Sequence, residues 1–165
     1  MAQQNSNNTV RKIVTKEILR TALQELGVRP GMIMEVHSSL ASFGYVVGGA
    51  RTVVDALMEA VGENGTLLMA TQTVDNTDPS VWCEPPVMPA LWTDIRESMP
   101  AYDPETEDMR GMGAIAENFR HRAETVCSSH PALSYTAWGR YAKLLCNRQS
   151  MHFPLGEESP PACMS

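Results

Sequence analysis

Val36-His37-Ser38-Ser39-Leu40-Ala41-Ser42-Phe43-Gly44-Tyr45-Val46-Val47-Gly48-Gly49-Ala50 joins an apolar run to an amphipathic one through a turn rich in glycine and hydroxyls. The residues before it, Met32-Ile33-Met34-Glu35-Val36, read as a short buried strand. Those after it, Val53, Val54, Leu57, Met58 and Val61, recur at helical spacing. A second apolar run, Thr66-Leu67-Leu68-Met69-Ala70-Thr71, follows Gly62-Glu63-Asn64-Gly65, whose glycines stop the helix and turn the chain. The product is a strand, loop, helix, strand unit, so the fold class is α/β. In open α/β sheets ligands sit beyond the carboxyl ends of the strands, which places residues 37 to 49 and 71 to 80 around one crevice. A tight connection with no ligand satisfies the same spacing.

Outward from this unit, Ile18, Leu19, Ala22, Leu23 and Leu26 form an apolar stripe, with Thr15 suited to cap the helix start and Gly27 to stop it. This helix is expected to pack on the sheet. Residues 1–14 are read as a flexible leader, because their polar, Asn- and Gln-rich composition has no period that can bury a face. Residues 15–165 are read as a single domain. Residues 75 to 109 contain Pro79, Pro85, Pro86, Pro89, Pro100 and Pro104, a proline-stiffened excursion within which Leu91, Ile95 and Met99 share a helical face. Loops this long inside a compact domain are usually functional or disordered, and Trp82, Trp92 and Tyr102 favour order. Further helices are expected from Ala114 to Phe119 and from Gly139 to Asn147.

Composition narrows the function classes. Of 165 residues, 43% are hydrophobic and 19% charged, which suits a folded globular chain and not a disordered one. No apolar run approaches the roughly 20 residues that span a bilayer, and the N-terminus lacks a signal-peptide core, so no membrane partner and a cytoplasmic location are expected. The formal charge of −6 argues against nucleic acid and suits a small cationic ligand. Cys83, Cys127, Cys146 and Cys163 lack the short paired spacing of zinc sites; they are read as free thiols, and no metal is expected.

Four segments in order carry a further resemblance: His37-Ser38-Ser39-Leu40 with Phe43-Gly44 and Gly48-Gly49; Asp75-Asn76-Thr77-Asp78-Pro79-Ser80; Met112-Gly113-Ala114-Ile115-Ala116-Glu117; and His130-Pro131-Ala132-Leu133-Ser134. In these, from about Thr15 to about Pro160, the chain resembles the antibiotic (aminoglycoside) N3-acetyltransferase family. The resemblance implies a three-layer-like sheet with flanking helices and an acetyl-CoA-dependent transfer to an aminoglycoside amine. It also implies that coenzyme A lies against Ser38, Ser39, Leu40, Phe43, Gly44, Thr71, Met112 and Gly113. Family members continue past the Ser-Pro pair matching Ser159-Pro160 with further strands and a His and Glu that serve as catalytic groups. This chain ends in Pro161-Ala162-Cys163-Met164-Ser165, so it is expected to be C-terminally incomplete relative to the family fold, with an unpaired sheet edge.

The chemistry asks for three things. Ser38, Ser39 and the amides of a turn entering a helix suit a pyrophosphate. Asp75, Asp78 and Asp103, with Glu105, are the carboxylates on the excursion that can pair with a polycationic acceptor; each is equally a turn former. Trp82 and Tyr102 can stack on a sugar or pin their loop to the core. A general base must be His or a carboxylate within hydrogen-bonding reach of the attacking amine. His37 and His130 are the candidates inside the shared motifs, although His37, ending a buried strand, also suits a core histidine with a backbone partner. His121 and His152 read as surface residues. Two other readings stand beside the aminoglycoside enzyme: an inactive or weakly binding, self-associating fragment as a homo-oligomer, and an acetyltransferase for another amine.

Overall fold

The computed structural model describes residues 12–107, 109 and 111–164. Helix α1 (Lys16–Glu25) starts where Thr15 caps it, the hydroxyl accepting from the Ile18 amide at 3.3 Å, and Gly27 follows its end with φ 86°. The deciding unit is present as β2 (Ile33–Glu35), α2 (Gly49–Val61) and β4 (Thr66–Ala70), with β2 and β4 parallel. Two short strands that periodicity does not reveal, β1 (Ile13–Val14) and β3 (Tyr45–Val46), pair in parallel with each other. β1 therefore takes the last part of the supposed leader into the fold, with Val14 buried; residues 1–11 lie outside the described residues.

The main sheet has the order β2-β4-β6-β5, where β5 (Val126–Cys127) and β6 (Tyr135–Gly139) are antiparallel additions. Side chains alternate along β4 and so serve two cores. Leu67 and Met69 join Val53, Val54, Leu57 and Val61 of α2 and Ile115 and Phe119 of α4 (Gly113–Arg120). Leu68 and Ala70 face the other way, onto Tyr135, Ala137 and helix α5 (Ala142–Cys146), giving helix, sheet and helix layers. α1 lies chiefly against α2 and not on the sheet, and of its apolar stripe Ile18 and Leu26 stay exposed.

Three expectations shift. The helix placed over 139–147 starts only at Ala142, because β6 runs through Gly139, whose φ of 100° turns the chain. The excursion contains α3 (Trp92–Ser98), shorter at both ends than the apolar face suggested. Between Ser39 and α2 there is no single turn: a 3-10 turn at Leu40–Phe43, then Gly44 at φ 81° and β3, intervene before Gly48 at φ 82° admits the helix. Ser38 and Ser39 therefore do not open α2, and its dipole is not the reason for their place. Glycine at 65 answers to space: an added Cβ would lie 2.5 Å from the Val61 carbonyl and 2.8 Å from that of Met32.

Candidate active site

β2 and β4 are parallel and so end on the same side of the sheet, and the chain that leaves β2 meets the last residues of β4 in a cleft. Pairing persists one step beyond β2, where the Val36 amide donates to the Leu68 carbonyl at 2.9 Å. The cleft, of about 200 Å³, is lined by Val36, His37, Ser38, Met69 and Ala70, by Met112 just before α4 and by Ala116 within it. Thioether side chains together with a hydroxyl and an imidazole in one lining suit a thin, polar-ended chain. Gly113 opens α4 with φ 84° and open space where a Cβ would stand.

The other residues that the resemblance assigns to coenzyme A are not among those that line this cleft. Leu40 and Phe43 pack against the α2 core, and Gly44 makes the reversal into β3. Thr71 is buried at 2% exposure: its hydroxyl accepts from that of Thr136 at 3.0 Å, and its carbonyl accepts from the Ser134 hydroxyl at 2.6 Å. It seams β4 to β6 with both its polar ends. Ser39 precedes the 3-10 turn with no side-chain cap bond.

His37 is 71% exposed and is not a core histidine; its Nε2 lies 3.0 Å from Oε1 of Glu35, two residues back along the strand and on the same side. A carboxylate at Nε2 orients the ring and leaves Nδ1 to take a proton. The carboxylate lies near Tyr135, whose hydroxyl is pushed up from its ordinary pKa by burial and by the charge of Glu35.

His130 has the opposite setting. Nδ1 accepts from the amides of Leu133 at 2.9 Å and Ala132 at 3.2 Å, and the ring also bonds the Met151 backbone. Burial lowers its pKa below the ordinary 6.5. Those amides assign the tautomer, leave Nδ1 no room for a proton, and make His130 an organiser of its loop. His121 and His152 are exposed as expected, His121 pairing with Glu117 at 2.8 Å.

The carboxylates of the excursion are not gathered in this cleft. Asp75 lies on a separate cavity of about 680 Å³ with Trp82 and Glu84. Asp78 pairs with Arg96 at 2.8 Å. Asp103 caps its own turn, accepting from the Glu105 amide at 3.0 Å, and Glu105 lines a third cavity beside Arg120 and His121. Tyr102 is half-buried, raised in pKa by burial while bonding Ser134, and so pins its loop to the start of β6. Sequence reading missed Arg96 and Thr136 and gave Ser134 no role beyond its place in a motif, because their partners lie far along the chain and leave no local spacing. All four cysteines are free thiols, and burial pushes that of Cys146 up to about 12. Among the described residues no cluster of three or more metal-ligating side chains exists, and no helix is long and apolar enough to cross a membrane.

Residues 36–164 match the model of the aminoglycoside 3-N-acetyltransferase family. The chain is 46% identical over 147 residues to a SPbeta prophage-derived aminoglycoside N(3')-acetyltransferase-like protein, YokD, of Bacillus subtilis, spanning 88% of this chain and 54% of that one. It is 40% identical to aminoglycoside N(3)-acetyltransferase VIII of Streptomyces fradiae over 90% of this chain and 51% of that enzyme. The crystal structure of YokD superposes with a TM-score of 0.86 over 92% of this chain and 56% of its own. An AAC-IIIb complex with CoASH, 27% identical, superposes at 0.77 over 93% of this chain and 56% of that one. The chain thus spans about half the length of the relatives it matches. With the residues that line the cleft and the four motif segments all inside the matched region, the chain belongs to the aminoglycoside 3-N-acetyltransferase family.

Proposed function

We propose that this protein transfers an acetyl group from acetyl-CoA to an amine of an aminoglycoside antibiotic, a resistance reaction. The observation that carries this is the meeting of His37, Ser38 and Met112 in one cleft at the carboxyl ends of β2 and β4. Sequence motifs far apart in the chain contribute to that one wall, and a relative of the same fold has been solved with CoASH. Acetyl-CoA supplies the activated acyl group as co-substrate.

In the transfer, the amine nitrogen attacks the thioester carbonyl carbon, the carbon–sulfur bond breaks, and coenzyme A leaves as its thiolate. The amine proton passes to a base. His37, oriented by Glu35 at 3.0 Å, is the residue in the cleft built for that task. Met69 and Met112 exclude water from the acyl chain, and Ser38 adds a hydroxyl to the same lining. No nucleophilic cysteine is required. The small cationic acceptor suits the acidic chain, and sisomicin bound to the related AAC-VIa supports an amine of this class. A cytoplasmic location, where acetyl-CoA is available, goes with the reading.

The test is mass spectrometry of gentamicin or kanamycin incubated with acetyl-CoA and the purified chain, beside a full-length relative. A gain of one acetyl group with the chain itself, reduced about 100-fold or more by His37→Asn, is the expected result. Product from the longer relative alone would overturn the activity of this chain. Product undiminished by His37→Asn would remove His37 as base.

A further inference from the structure

Helix α3 holds the loop 78–87 at both ends. At one end Arg96 meets Asp78 through two parallel bonds, Nε to Oδ2 at 2.8 Å and Nη2 to Oδ1 at 2.9 Å. At the other the Trp92 indole N–H donates to the Val87 carbonyl at 3.1 Å, and the Arg96 guanidinium stands 5.8 Å from the centre of the Trp92 ring. Between these anchors lie Val81, Trp82 and Glu84, which together with Asp75 wall the cavity of about 680 Å³. Asp78 also accepts from the Ser80 amide at 2.9 Å, starting the turn Pro79–Val81, and the Trp82 indole is tied to the Thr77 hydroxyl at 2.8 Å. Both carboxylate oxygens of Asp78 are thereby engaged within the protein. Its hydrogen bonds to Arg96, and then to Ser80, hold its carboxyl well below the usual range.

We propose that Arg96 is a positioning residue for the acceptor. Through Asp78 it holds loop 78–87 in the form that gathers Asp75, Trp82 and Glu84 around one cavity, and Asp78 acts on the loop instead of on a bound amine. The cavity has the size of a drug-sized ligand site and offers an indole with two carboxylates, a chemistry that takes a polycationic sugar. Bidentate guanidinium–carboxylate geometry fixes orientation as well as distance, which Lys at 96 cannot reproduce. The inference rests on the aminoglycoside reading and names Arg96 and Glu84, neither of which the sequence motifs single out.

The two roles for Asp78 give opposite responses when kanamycin is titrated calorimetrically into the full chain. A carboxylate that met the amine directly would be released by Arg96→Gln, so affinity would hold or rise. In the positioning role Arg96→Gln and Asp78→Asn each weaken kanamycin binding about tenfold and leave coenzyme A binding unchanged. The exchanged pair Asp78→Arg with Arg96→Asp then recovers part of the loss, since the loop regains its tie. Parent-like affinity in Arg96→Gln, or an exchanged pair weaker than either single variant, would overturn the proposal. Glu84→Gln is expected to weaken kanamycin without altering the loop. Should the unaltered chain bind no kanamycin, the acceptor reading fails by itself. The hold on the loop is then decided by hydrogen exchange at the Val81 and Trp82 amides, which donate to Asp78 and Pro79 carbonyls. Faster exchange there in Arg96→Gln sustains the tie, and unchanged exchange ends it.

Discussion

His130 and His37 are both histidines in shared motifs, and their surroundings separate them. His37 stands in solvent with one carboxylate, while His130 accepts two backbone amides at Nδ1 and is 9% exposed. The consequence for His130 is a pH dependence of stability. Burial lowers its native pKa from the ordinary 6.5, whereas the unfolded chain titrates near that ordinary value. As pH falls through 6.5 the unfolded state takes up a proton that the folded state resists, so its contribution is intact above that pH and declines below it, levelling off under the depressed native value. Denaturant midpoints at pH 7.5 and about 5.5 check this. His130→Asn, whose side-chain oxygen can still accept the amides but does not titrate, is expected to lose less stability on acidification than the parent. Equal loss in the two would assign the acid sensitivity to other groups.

Elements with long periodic patterns were legible in the sequence, and those made by distant contacts were not. α1, with Thr15 and Gly27 at its ends, and the β2–α2–β4 unit follow from local spacing and capping. β1, β3 and β5 have two residues each, too few for any period, and exist because a partner strand lies alongside. Of the site, Ser38 and Met112 could be placed by resemblance, whereas the seam of Thr71, Ser134 and Thr136 joins residues more than 60 apart. The end of β6 shows why periodicity misled there. Tyr141, Leu144 and Leu145 have helical spacing, but Gly139 is held in the sheet opposite Thr66. At φ 100° an added Cβ would stand 2.2 Å from the Gly65 carbonyl, which already accepts from the Arg140 amide at 2.9 Å. Backbone cannot yield as a flexible side chain can. Gly139→Ala is therefore expected to cost about 3 kcal/mol, combining left-handed strain with overpacking, as read by a fall in thermal midpoint. Gly31→Ala makes the control, having φ 89° but no atom within 4 Å of the added carbon, and should cost about 1 kcal/mol from strain alone. Equal losses in the two variants would show that the close approach at Gly139 contributes nothing.

Across the whole molecule, β4 is the shared wall of two cores. Leu67 belongs to the layer of α2 and α4 and Leu68 to that of α5, yet both have 0% exposure and adjacent main-chain bonds to β2 and β6. A sheet cannot lose one face while its strands stay paired at full strength, because the main-chain ladders depend on cover from both sides. This coupling predicts one cooperative transition for the described fold. Leu67→Ala and Leu68→Ala, each opening a cavity in a closed core, are expected to destabilise by about 2–5 kcal/mol apiece and to leave a single transition. Trp138 lies in the first core, so its fluorescence in a chain with Trp82 and Trp92 replaced by Phe reports that side alone. Far-ultraviolet dichroism reports the helices of both. Coincident curves by the two probes in Leu68→Ala would establish that damage on the α5 face propagates through β4 to the face that packs against α4. A dichroism change that precedes the Trp138 transition would mean that the α5 layer melts separately, and that the cleft between β2, β4 and α4 stands without it.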